Sequence, residues 1–217
     1  MKFFSVDSPL YRFFNRLWDI IQLNFFWLIC CIPIVTIGAS TAAAFHVCMK
    51  MVDDEEGYIS KEFFKGFKEN WKQGTVVGFL IILASYAVYL DVQIFEAVEG
   101  NPIGFLIVAM ISGFLFFLCL IYAYPLIARY RNTLLGTLKN SFTIARRHFL
   151  RTIFLAFILM IEILVWMYNS TTLFIGFLIG PACIMFTIAG MALRIFQQIE
   201  KQPNTTVIRE GEEENDM

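Results

Sequence analysis

Glu162 is the one acidic or basic side chain between Arg151 and the polar turn at Asn169, in an apolar run. Eleven helical residues carry it about 16 Å past Arg151, near the middle of a hydrocarbon core about 30 Å thick. A carboxyl group there serves as a proton relay or substrate contact, or it is a protonated or hydrogen-bonded group that pins helix packing. Lipid exposure would be too costly. Two other places could do chemistry. Asp91, with Glu96 and Glu99, would form an acidic rim at the outer membrane face. Such a rim suits a sugar or a cation, and equally suits plain solvated surface. His46 lies one turn before Lys50, at the inner interface, where an imidazole is usually a core or interfacial group.

Enzyme signatures are missing. There is no Walker lysine loop, no H-E-x-x-H, no G-x-S-x-G and no Ser/His/Asp set, and the chain has 2 His. The 5 Cys lie in apolar runs without a C-x-x-C and read as small apolar fillers. The expectation is therefore a non-enzyme with no cofactor, no metal and no nucleic-acid partner.

The elements that must position these groups are membrane helices. The chain is 58% hydrophobic and 16% charged, with 24 Phe among 217 residues, whereas soluble domains run near 25% charged. The fold class expected is all-α, a polytopic integral membrane helix bundle. Residues 1–195 form one domain with membrane segments near 17–32, 38–51, 74–95, 103–128, 152–168 and 173–193. Residues 196–217 are an acidic tail, expected to be disordered. Lys2, Arg12 and Arg16 before the first apolar run resemble a signal peptide, but the run is long and reads as a retained segment.

Two charged loops separate the spans. Residues 50–73 hold five Lys and residues 129–151 hold six Lys and Arg, while turns 96–102 and 169–172 hold neither. Basic loops stay cytoplasmic, so the C-terminus is expected on the cytoplasmic side of the cell membrane. The N-terminus follows if residues 17–51 form a hairpin around Pro33 and Gly38; one crossing is the alternative, giving five segments instead of six. Each loop contains an amphipathic stretch. Phe63, Phe64, Phe67 and Trp71 are expected on one face of Ser60–Lys72, opposite Lys61, Lys65, Lys68 and Lys72. Leu134, Leu138, Phe142, Ala145 and Phe149 are expected on one face of the second, with Lys139, Arg146 and Arg147 off it. Lys65, Lys68, Trp71, Arg146 and Arg147 are thus the expected partner or lipid contacts.

A weak repeat runs through these stretches: an aromatic, six residues, another aromatic. It occurs at Tyr11/Trp18, Phe64/Trp71 and Phe142/Phe149, each with basic neighbours. Gly38 to Ala44, Gly74-x-x-x-Gly78 and Gly176-x-x-x-Gly180 are close-packing faces, within the chain or between chains. Pro33, Pro125 and Pro181 should break or kink helices. Asp19 and Asn24 should cap or bridge neighbouring ones.

At Asn24-Phe-Phe-Trp27, Pro33-Ile-Val-Thr-Ile-Gly-Ala-Ser-Thr-Ala42, Glu55-Glu-Gly-Tyr58 and Phe63-Phe-Lys-Gly-Phe-Lys-Glu-Asn-Trp71, the chain resembles the YesL-like family. These are small membrane proteins, mostly of Firmicutes, with no assigned biochemistry. The resemblance covers the first ~90 residues and continues as hydropathy, with Arg129 and Gly180-Pro181. It implies a neighbourhood, because members are often encoded beside oligosaccharide ABC importers and glycan-degrading enzymes. It supplies no catalytic residues. Three functions remain open: an accessory protein contacting ABC importer subunits, a small transporter or channel using Glu162, or a lipid-organising protein.

Overall fold

The computed structural model describes residues 9–55, 57–97 and 103–201. The described residues form seven α-helices and no strand: α1 Pro9–Cys31, α2 Ile37–Val52, α3 Ile59–Ala97, α4 Ile103–Arg129, α5 Leu134–Arg147, α6 Phe149–Trp166 and α7 Ser170–Glu200. Four stretches among them are long and apolar enough to cross a membrane: Ile34–Val52, Ile59–Phe95, Phe149–Trp166 and Ser170–Glu200. Their outward faces carry large apolar side chains, including Phe79, Leu83, Phe154, Phe157, Leu164 and Phe177. In water such a surface would drive aggregation; in lipid it is solvated. The chain has the character of a membrane protein.

Arg16 near the start of α1 pairs with Asp54 just past α2. The two helices therefore run antiparallel, joined by Pro33 and a 3-10 turn at Ile34–Thr36. The tip of this hairpin is apolar and exposed at Ile32, Ile34 and Val35. Its backbone is served from within, as lipid requires. Thr36 Oγ1 donates to the carbonyl of Cys30 at 2.6 Å, and Ser40 Oγ donates to that of Trp27 at 3.1 Å. Pro33 precedes the 3-10 turn and Gly38 lies in the first turn of α2.

Gly38 sits where α2 crosses α3. A Cβ built on it would lie 2.0 Å from the Gly74 carbonyl oxygen and 2.9 Å from Gly78 Cα. Backbone meets backbone, the use for which small-xxx-small faces are known. Gly176 and Gly180 of α7 instead make room for a side chain, the Trp166 indole at the end of α6. Both glycine pairs pack within the chain.

Four expectations need correction. Ser60–Lys72 is not a separate interfacial helix but the first third of α3, which continues unbroken for 39 residues. Gly74 alone does not stop a helix, and here it is held against α2. The face is also different. Ile59, Phe63, Gly66, Gly74 and Val77 are buried, while Phe64 and Trp71 share the exposed side with Lys61, Lys65, Lys68 and Lys72. The small residues of the Gly66–Gly74 line let α3 approach α2, so that line turns inward and takes Phe63 with it. In α5 the buried residues are Thr137, Ser141, Ile144 and Ala145, whereas Phe142 and Phe149 are exposed. These four face its neighbours, and the large aromatics do not. Finally, α7 runs to Glu200, so residues 196–200 are helical where a tail was expected; the rest of that tail lies outside the described residues.

All six aromatics of the repeat are exposed: Tyr11, Trp18, Phe64, Trp71, Phe142 and Phe149. They are not core residues.

Candidate functional site at the basic end of the bundle

The ends of α2, α4 and α7 and the start of α3 meet in a network of charges. Arg129 closes α4. Its guanidinium grips Glu200 with two bonds, Nε to Oε1 at 3.0 Å and Nη2 to Oε2 at 3.2 Å, the fork geometry that suits arginine. It also pairs with Asp53 at 3.6 Å. Gln197 Nε2 donates to Asp53 at 3.0 Å, and the Tyr130 hydroxyl donates to Glu200. Burial, reinforced by the bond to Glu200, pushes the Tyr130 phenol well above its ordinary pKa, so it stays a donor. One arginine thus ties three helix ends together.

Beside it, Lys50 of α2 pairs with Glu62 of α3 at 2.9 Å and with Glu55 at 3.8 Å. His46 lies between α3 and α4. Its Nε2 is 3.5 Å from Glu62 and its Nδ1 3.4 Å from the Ala128 carbonyl, and Gly66 leaves room for its ring. His46 Nε2 is buried without a hydrogen-bond partner. Gln73 Nε2 donates to the Asn132 carbonyl at 2.6 Å, fastening α3 to the start of the α4–α5 loop. Arg151 Nη1 donates to Gln198 at 2.6 Å. Burial, then the charges of Arg151 and Arg147, hold His148 below its usual pKa.

Most of these groups pair with one another and hold the helix ends together, although the Asn132 side-chain nitrogen and His148 Nε2 are buried without a hydrogen-bond partner. Among the described residues no three His, Cys, Asp or Glu stand where they could share a metal ion. What is left open to solution is different. Lys61, Phe64, Lys65, Lys68, Trp71 and Lys72 form one exposed strip on α3, and Arg146 and Arg147 are exposed on the last turn of α5. Since α5 packs on α4 and α6, the two basic groups are carried by different parts of the bundle.

The remaining sequence candidates lie elsewhere. Glu162 is on α6, partly buried against α7, with Thr187 Oγ1 donating to it at 3.5 Å. That is a single long bond across a helix pair. Asp91 is partly exposed in the last third of α3; Glu99 and the side chain of Glu96 lie outside the described residues. Cys30, Cys31, Cys48 and Cys183 are free thiols among apolar neighbours. The Arg129 clamp escaped the sequence reading because its partner Glu200 fell beyond the expected end of the last helix.

A family model described as "Protein of unknown function, DUF624" matches residues 20–92. The match runs from the middle of α1 to near the end of α3. It takes in Asn24, the Pro33 turn, the glycine crossing and the Lys/aromatic strip, and leaves out Arg129, α5 and Glu162. It is consistent with the resemblance carried by the first ~90 residues. No curated protein and no solved structure matches the chain.

Proposed function

We propose that this chain is a multi-pass cell-membrane protein that works by protein contact at a cytoplasmic face, as an accessory to oligosaccharide uptake through an ABC importer. The observation that carries the reading is the exposed strip on α3. The apolar part of α3 from Gly74 to Phe95 rises about 33 Å and fills the hydrocarbon core. Phe64 lies ten residues before Gly74, about 15 Å further out. A headgroup layer is only about 5–8 Å deep on each side. In a helix along the membrane normal, Lys61, Phe64 and Lys65 therefore stand beyond the lipid, where an exposed aromatic among lysines suits a partner protein better than a bilayer. The partner would present acidic side chains around an apolar socket. The basic end is cytoplasmic by the distribution of Lys and Arg. The link to oligosaccharide import comes from the family resemblance alone.

The test is photo-crosslinking in living cells. A photoreactive residue at Phe64 is expected to capture an ABC importer subunit, and K65E/K68E should cut that capture severalfold while the amount of protein in the membrane stays unchanged. Capture that ignores the charge reversal, or that yields only lipid adducts, overturns the reading.

A second reading is favoured by the position of Glu162. A half-buried carboxyl near mid-membrane is the group a transporter would use. Glu162→Gln separates the two. In an accessory protein both capture and sugar uptake persist. Loss of uptake with capture intact would make Glu162 a transport residue instead.

A further inference from the structure

At the depth of Glu162, but on other faces of the helices, α4, α6 and α7 enclose a cavity of about 490 Å³. Ile121 and Tyr124 form its α4 wall, Met160 and Ile163 its α6 wall, Ile188 its α7 wall, and Phe45 of α2 its floor. Toward the basic end the Tyr122 hydroxyl and Thr152 Oγ1 meet at 3.0 Å, both fully buried, and pin α4 to α6. Beyond that pin the two helices leave a gap. Met160 and Ile163 line the cavity and are themselves about half exposed, at 49% and 46%. The opening is therefore sideways, on the same apolar surface that faces lipid.

The lining decides what the cavity can hold. Apart from the Tyr124 phenol, every lining side chain is apolar. Water is not stabilised in such a space, and engineered apolar cavities of this kind stay dry while accepting apolar guests. At about 30 Å³ per water-sized group, the volume takes roughly sixteen such groups, which is the size of one phospholipid acyl chain. Toward the basic end from the cavity lies the α5–α6 joint, which carries three arginines, of which Arg151 also donates to Gln198. Arg146 and Arg147 end α5, and Arg151 precedes the lining residue Ala156 by about 8 Å of helical rise. Guanidinium groups suit a phosphate.

We propose that this cavity holds one acyl chain of an anionic phospholipid, with its phosphate met by the arginines at the α5–α6 joint. Such a site is independent of the protein-contact role. It would explain why α6 needs no direct seal against α4: the lipid chain supplies the missing packing.

The full-length protein, reconstituted in vesicles with a trace of phosphatidylglycerol bearing a diazirine near the middle of one chain, tests this directly. Peptide mapping after illumination should place adducts on Tyr124, Met160, Ile163 and Ile188 severalfold above those on the outward residues Phe154 and Phe157. The same chain on phosphatidylcholine should label the cavity several times less. Ala156→Trp should remove the cavity adducts and leave those on Phe154. Wild-type labelling confined to the outward residues overturns the site without any variant. Equal cavity labelling by both lipids overturns the preference for an anionic head.

Discussion

Gly38→Ala is expected to yield little or no folded protein. One added methyl would sit 2.0 Å from the Gly74 carbonyl oxygen, and that obstacle is backbone, which cannot turn aside as a side chain can. Overpacking a core usually costs about 1–3 kcal/mol when neighbours can shift. Here α2 and α3 must separate along their whole crossing, so the cost should exceed about 3 kcal/mol. The other glycines set a scale. Cβ atoms on Gly74 and Gly78 would approach the Gly38 backbone to 2.8 Å, so those substitutions should be harmful but less so. Gly104 in α4 has nothing within 4 Å. Gly104→Ala should be neutral or stabilising by up to about 1 kcal/mol, the helix propensity of alanine over glycine. Thermal unfolding of the detergent-solubilised proteins, read with the yield of monodisperse material, ranks the four. If Gly38→Ala behaves like Gly104→Ala, the helices do not cross this closely.

The membrane character, the apolar cores of the helices and the glycine faces follow from composition and spacing, because each depends on one element at a time, whereas the fusion of residues 60–72 with the span after them into α3 did not. The exposed repeat of Tyr11/Trp18, Phe64/Trp71 and Phe142/Phe149 also follows from spacing, although its placement needed the neighbours. Which face of α3 turns inward did not follow. Hydrophobicity groups Phe63 with Phe64 and Trp71, yet the inward line is set by where α2 can come close, at Gly66 and Gly74. An aromatic beside lysines satisfies the same periodicity whether it meets a core, a lipid or a partner. The Arg129 clamp was unreadable for a related reason. Asp53 and Glu200 lie 147 residues apart in sequence and neither is unusual alone. Their role exists only once α2, α4 and α7 end at the same level.

Asn24→Leu should destabilise the bundle by about 1–3 kcal/mol, the cost of leaving buried polar groups unpaired, and most of that loss should vanish when Pro181 is replaced by Ala. Asn24 is fully buried on α1. Its Nδ2 donates to two carbonyls of α7, Phe177 at 3.2 Å and Leu178 at 2.7 Å. The Phe177 oxygen is available for a definite reason. In an unbroken helix it would accept the N–H of residue 181, but residue 181 is proline and has none. At membrane depth no water replaces it. Asn24 fills the vacancy and so fastens α1 to the place where α7 is weakened. Leucine has similar bulk and no donor, so in the native background it leaves the Phe177 oxygen without a partner. In Pro181→Ala the alanine N–H can take that oxygen, and Asn24 is left serving Leu178 alone. A double-mutant cycle on thermal unfolding measures the coupling. A coupling well above the additive expectation supports the staple, whereas strict additivity means that Asn24 and Pro181 act independently.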